Sequence, residues 1–224
     1  NNEIVDIGPD DTKTINLGSS EGYGSRLKEG GSFNDLYVLK FLRDDQDRIV
    51  FDGGKPLRSA SQELVGNLDP DWSLGWNNNI TFNRFSLGML INGKFGGEVF
   101  SQTESMLDGA GVSQRTADAR DNGGVVVNGV DQSSGTAITS VDPETWFRAI
   151  GDRNGIGEAY IYSRTNVRLS QLSVAYDFDL KNSNLPITSA TLSFVGNNLI
   201  MFYNDAPFDP ELAMSTNQNA QGLD

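Results

Sequence analysis

The 224-residue chain contains no cysteine and no histidine. That excludes disulfides, thiol chemistry, zinc centres of the usual Cys/His kind and every histidine-based triad. Basic residues are scarce: 17 Lys and Arg stand against 30 Asp and Glu, a net charge of −13. Nucleic acid is therefore excluded as a partner, because its phosphates are neutralised by Lys and Arg. Long apolar runs are missing as well. Nothing approaches the roughly 18 apolar residues of a transmembrane helix, and the mean hydropathy is −0.38. Such a chain can cross a bilayer only as part of a closed β-barrel, since only helices and barrels satisfy every backbone polar group in lipid. The opening residues NNEIVDIGPDD have neither the basic nor the apolar region of a signal peptide. Either a leader has been removed or this is an internal piece of a longer protein.

What is present is a two-faced hairpin. Trp72, Leu74, Trp76, Ile80 and Phe82 alternate with Ser73, Gly75, Asn77, Asn79 and Thr81. After Asn83-Arg84, Phe85, Leu87, Met89 and Ile91 alternate with Ser86, Gly88 and Asn92. Successive side chains point to opposite sides of a strand, so one face is oily and the other rich in amides and hydroxyls. A water-soluble sandwich would turn the oil inward. A membrane barrel would turn it outward, with strands of about 9–11 residues and aromatic girdles at their ends. Trp72, Trp76, Phe82, Phe85, Phe95 and Phe100 fall where such girdles belong.

Further strands are expected near 1–7, 167–178 and 189–202, with the outgoing arm of the hairpin covering 85–99. Val167 and Leu169 have the opposite parity to Leu172, Val174, Tyr176 and Phe178, which places a bulge near Ser170. Residues 36–42 and 48–51 read as a hairpin around the Asp-rich turn 44–47. An extended run at Val125–Val127 and a helical turn near 142–150 interrupt an otherwise irregular stretch. Turns at 83–84 and 180–186 are short, whereas the connections 8–71, 100–158 and 203–224 are long. Short turns on one side and long loops on the other are the habit of outer-membrane barrels.

Several segments resemble the SusC/RagA-like TonB-dependent receptors of the outer membrane of Bacteroidetes. They are GNLDPDW (66–72), SLGW at 73–76, NRFSLGMLINGKFGGEVFS (83–101), EGGSFNDLYVLKF (29–41), GVSQRTADARD (111–121), YIYSRTNVRLSQLSVAYDF (160–178), FVGNNLIMFY (194–203) and APFDPEL (206–212). They occur in the family's order across almost the whole chain. Asn34 stands where that family often has Gly. The resemblance implies an all-β fold, part of a large antiparallel transmembrane β-barrel of about 22 strands with long extracellular loops. Residues 1–224 would then be the C-terminal part of the barrel domain, with the plug domain and the final strand outside this chain. The implied activity is active import of a polar nutrient, an oligosaccharide or a peptide, with no enzymatic step. The implied partners are a SusD-like surface lipoprotein, the TonB complex acting through the plug, the plug itself and the lipid bilayer.

In that frame Asn77, Asn79, Thr81 and Asn92 face the barrel interior, where they can meet plug, water or polar cargo. Trp146, Phe147, Tyr160 and Tyr162 lie in or beside the long loop, where aromatics can stack on cargo or pack against the loop. Arg164 and Arg168 can grip carboxylates of plug or cargo, or form structural ion pairs. No cofactor is expected; Ca²⁺ is the ion that the acidic loops would take. The carboxylate pairs Asp69/Asp71 and Asp177/Asp179 read as a turn and a strand end rather than an acid–base couple. Two other readings compete: a secreted all-β carbohydrate- or protein-binding module, and a glycoside hydrolase fragment using Asp69 or Asp177.

Overall fold

The computed structural model describes residues 3–8, 13–19, 22–181 and 186–211. The polar turn read at 9–11, most of the turn at 180–186 and the tail beyond 211 lie outside them. The chain divides into two compact units, residues 1–69 with 97–162 and 211–224, and residues 70–96 with 163–210.

The first unit holds most of what the sequence presents as long loops. Six strands lie within 8–71: β1 (Thr14–Ser19), β2 (Tyr23–Lys28), β3 (Asp35–Val38), β4 (Ile49–Asp52), β5 (Lys55–Pro56) and β6 (Glu63–Asn67). The expected strand over 1–7 is reduced to one bridge between Glu3 and Ser32. The hairpin expected around Asp44–Asp47 is short: Arg43 bridges Ile49, the Asp44 N–H donates to the Arg48 carbonyl, and the Val50 N–H donates to the Leu42 carbonyl. Its second arm, β4, pairs also with β5 and with a later strand.

Strands β1-β2-β3-β6 form one antiparallel sheet. Asn34 enters β3 with φ of 63°, a left-handed conformation that Asn tolerates and Gly adopts freely. In the second sheet β10 (Val125–Asp131) runs parallel to β4 and antiparallel to β11 (Ala137–Val141). Gly129 is required there, because a Cβ would come within 2.4 Å of the Phe51 ring.

Three eight-residue helices fill the rest of 100–158. Helix α1 (Gln102–Gly109) and helix α2 (Gln114–Asp121) are capped by Ser101 and Ser113, and α3 (Pro143–Ile150) by Asp142. Pro143, Trp146, Phe147 and Ile150 recur at helical spacing and are buried. Trp146, Phe147 and Ile150 join Leu36, Val38, Phe51, Leu68, Phe100 and Tyr160 in one core. Full burial of a side chain such as Phe51 contributes about 3 kcal/mol.

The second unit is a single four-stranded sheet, ordered β14-β13-β8-β7, comprising β7 (Trp72–Phe82), β8 (Phe85–Phe95), β13 (Asn166–Asp179) and β14 (Ser189–Asn204). The arm read as 85–99 stops at Phe95, because Gly96 and Gly97 turn with φ of 74° and 75°. Residues 98–100 form β9, which pairs with β12 (Ile161–Ser163). The register of β13 shifts between Leu169 and Gln171 against both neighbours. That shift brings Val167 and Leu169 onto the apolar face shared by Leu172 and Val174.

Candidate functional site

Opposed residues in antiparallel strands share a face, so the register assigns every side chain of the second sheet to one of two sides. On one side run Trp76–Ile91–Leu169–Ile200, Ile80–Leu87–Val174–Phe194 and Phe82–Phe85–Tyr176–Leu192. Trp76, Phe82 and Phe194 are 51, 73 and 70 % exposed. Among the described residues these oily side chains find no second layer to pack against, as a secreted sandwich would need. Asn78 is the one amide on this side of β7, opposite Met89.

The other side is polar. Its rows are Gly75–Asn92–Arg168–Met201, Asn77–Leu90–Gln171–Asn197, Asn79–Gly88–Ser173–Val195 and Thr81–Ser86–Ala175–Ser193, with Leu90, Val195 and Met201 as apolar members. Gly88 leaves room for its neighbours: a Cβ would approach the Ser173 hydroxyl to 2.5 Å and the Asn79 amide oxygen to 2.9 Å. Asn79 donates to Asn77 at 3.4 Å, and Asn92 to the Ser170 hydroxyl at 2.9 Å. Asn77, Asn79 and Asn92 are thus gathered on one amide-lined surface. Arg168 shares the face but is only 9 % exposed. Its Nη1 and Nη2 donate to the Asp209 carboxylate at 3.3 and 2.6 Å, and Nε donates to Asn166 at 3.3 Å. The carboxylate that Arg168 grips is therefore internal to this chain.

The loop aromatics have other employment. Trp146 lies in the core, its ring stacked 5.5 Å from Phe41 and 6.3 Å from Phe51. Tyr160 is wholly buried, and its hydroxyl donates to Asp108 at 3.1 Å. Neither ring is available to stack on cargo, because burying it stabilises α3 and the segment before β12. Tyr162 is half-buried, with its hydroxyl donating to Glu104.

These tyrosines belong to a network that sequence reasoning did not find. Asp108, 1 % exposed, accepts from Arg115, Ser113 and Tyr160, and Arg115 also pairs with Glu104 at 3.3 Å. The Arg115 guanidinium sits 4.9 Å from the Tyr160 ring centre. Burial works against the charge of Arg115, but the Asp108 carboxylate outweighs it and raises the guanidinium pKa. Burial raises the Tyr160 pKa, with Asp108 adding to it; burial also raises that of Tyr162, followed by its bond to Glu104. The arrangement joins α1, α2 and the β12 approach, and offers no nucleophile–base pair. The signal that could have revealed it is Ser-Gln-Thr-Glu at 101–104, a helix start. Among the described residues no group of three or more acidic side chains is gathered to hold a metal ion. Asp69 is held by the Asn34 amide and Asp177 by the Thr191 hydroxyl.

No known protein-family model matches the chain. It is 26 % identical over 210 residues to TonB-dependent receptor P3 of Formosa agariphila, covering 91 % of this chain and 19 % of that protein. It is 25 % identical over 226 residues to TonB-dependent receptor P39 of the same organism, covering 94 % of this chain and 20 % of that one. The chain thus spans about a fifth of the length of the curated relatives it matches. Among solved structures, the RagAB peptide importer in its open-open state superposes with a TM-score of 0.60 at 14 % identity, over 99 % of this chain and 23 % of that one. A second RagAB peptide transporter structure gives 0.54 at 12 %, over 89 % and 22 %. These relatives are receptors and an importer, not enzymes. Sequence relates this chain to the TonB-dependent receptors, and its fold is that of the matched part of the RagAB importer.

Proposed function

We propose that this chain supplies barrel wall and extracellular loops to an active importer in the bacterial outer membrane. The observation that carries the reading is the two-faced sheet β7-β8-β13-β14. Its aromatic and aliphatic side is exposed, as a lipid-facing band must be, and its amide and hydroxyl side suits a wet interior. The edges β7 and β14 find partners in the remaining barrel strands, since lipid does not tolerate an open sheet edge. The cargo is a polar nutrient, an oligosaccharide or a peptide, passing beside Asn77, Asn79 and Asn92. A plug drawn by the TonB complex supplies the force. A SusD-like lipoprotein caps the loops, in keeping with the likeness to RagAB.

The deciding experiment deletes the receptor carrying this chain and measures uptake of labelled peptides and labelled oligosaccharides by intact cells. Loss of one class, restored by the parent gene and not by a variant lacking the TonB-coupled plug, supports import and identifies the cargo. Unchanged uptake of both, with the protein recovered from the soluble fraction, sinks the reading.

A further inference from the structure

At the 83–84 turn the two faces of the barrel wall give way to a charged rim. A groove of about 700 Å³ opens there, lined by Phe82, Asn83, Arg84, Phe85 and Tyr176. Its aromatic wall is continuous: Phe85 meets Tyr176 edge-on at 4.7 Å, and Tyr176 meets Phe178 at 4.7 Å. Beside it stand one cation and one anion, Arg84 and Asp179, separated by 3.7 Å and both about half exposed. That distance is too long for the bidentate pairing in which guanidinium and carboxylate saturate each other. Among the described residues the Arg84 guanidinium has no other partner, and the Tyr176 hydroxyl donates to nothing. The Asp179 Oδ1 accepts from the Lys181 N–H at 3.2 Å, which leaves the rest of the carboxylate open. Apolar surface, an unsaturated guanidinium, a free hydroxyl and a carboxylate with acceptor capacity to spare therefore converge at one level of the sheet.

We infer that this rim is a docking site for a phospholipid whose headgroup carries both a phosphate and a primary amine. The acyl chains lie along Phe85, Leu87 and Val174 on the oily face. The phosphate takes the free donors of Arg84 and Tyr176, for which a planar fork of N–H groups is suited. The ammonium meets the Asp179 carboxylate. Charge complementarity selects this occupant: an anionic headgroup without an amine would satisfy Arg84 and face repulsion from Asp179. The inference rests on the barrel reading, in which the oily face meets lipid and the short turn lies at the inner edge of the membrane.

The test is native mass spectrometry of the whole receptor, released from bilayers made of phosphatidylethanolamine and phosphatidylglycerol, with Arg84→Gln and Asp179→Asn compared with the parent. The expected result is retention of phosphatidylethanolamine by the parent, reduced about threefold by either substitution, in the range of an exposed ion pair. Phosphatidylglycerol should lose retention only with Arg84→Gln and gain it with Asp179→Asn. Identical lipid retention by parent and both variants, in receptors that insert normally, overturns the site while leaving the barrel intact. A receptor that fails to enter bilayers at all overturns the barrel reading, and this inference with it.

Discussion

Trp146 and Trp76 are the same residue type in opposite situations. Trp146 is 9 % exposed, stacked between aromatic neighbours in the core of the first unit; Trp76 is 51 % exposed on an open sheet face. The contrast extends to Phe51 and Phe82, which are 0 and 73 % exposed. In the first unit, aromatics at helical spacing on α3 and within mixed strands bury themselves against this chain, and water drives their packing. In the second, a two-residue period puts most of the large apolar side chains on one side of one layer, where they stay exposed among the described residues. In the proposed barrel its stability comes from lipid and from flanking strands. Hydrophobicity alone does not tell a core from a membrane band; periodicity and the number of layers do.

The largest expected effect of breaking that contrast lies in the water-driven unit. Phe51→Ala removes the ring that fills the space beside Gly129 and Trp146. It should cost about 3–5 kcal/mol, read as earlier thermal quenching of Trp146 fluorescence in a receptor whose other tryptophans are replaced by Phe. A change below 1 kcal/mol would mean that the loops have no true core. In the sheet, Leu87→Arg puts a charge on the lipid face and should cost roughly 2–4 kcal/mol of barrel stability, whereas Asn79→Arg on the polar face should be far milder. Urea unfolding in liposomes gives both numbers, and equal tolerance would reverse the assignment of faces. Asp108→Asn should cost about 1–3 kcal/mol, because Arg115 and the Tyr160 hydroxyl lose a charged acceptor. Faster proteolysis between α1 and α2, with β7–β8 unaffected, is the expected readout. Equal cleavage of both regions would count against an effect confined to the network.

The sheet was far more legible than the loops, and the reason is physical. Alternation over Trp72–Phe82 and Phe85–Ile91 is imposed by the environment on both faces, so sequence and structure carry the same period. The parity break at Ser170 could be read for the same reason. Helices α1 and α2 carry no apolar stripe: their buried positions are Gln102, Ser105, Asp108 and Thr116. Polar contacts rather than a hydrophobic face hold them, and such contacts leave no period to read. The short hairpin leading into β4 is local and readable, whereas the pairing of β4 with β10 joins Ile49 to Gly129, beyond any local pattern. Asn77, Asn79 and Asn92 were placed correctly on one face by parity alone. For Trp146 and Tyr160 the sequence leaves stacking on cargo and packing against the loop both open, because composition marks a loop but does not say which of its aromatics the loop consumes.

The smallest effect concerns the tip joining β10 and β11, where one carboxylate organises a turn. Asp131 Oδ1 accepts from the Ser133 hydroxyl at 2.7 Å, the Ser134 N–H at 2.8 Å and the Ser134 hydroxyl at 2.9 Å. The Ser133 hydroxyl, then the Ser134 N–H and hydroxyl, hold the Asp131 pKa at about 2, against an ordinary 3.8. A carboxyl depressed on folding favours the folded turn at pH above its unfolded value, and that contribution is lost as pH falls from about 3.8 through about 2. The tip should keep its geometry at neutral pH and loosen only in that acidic window, with no change near pH 7. Carboxyl ¹³C titration of aspartate-labelled receptor should show one resonance with a midpoint near 2 that disappears in Asp131→Asn. A midpoint at the ordinary value would mean that the Ser133–Ser134 cradle is not formed in solution, and that this loop, unlike the core beneath it, is ordered by nothing stronger than its turn.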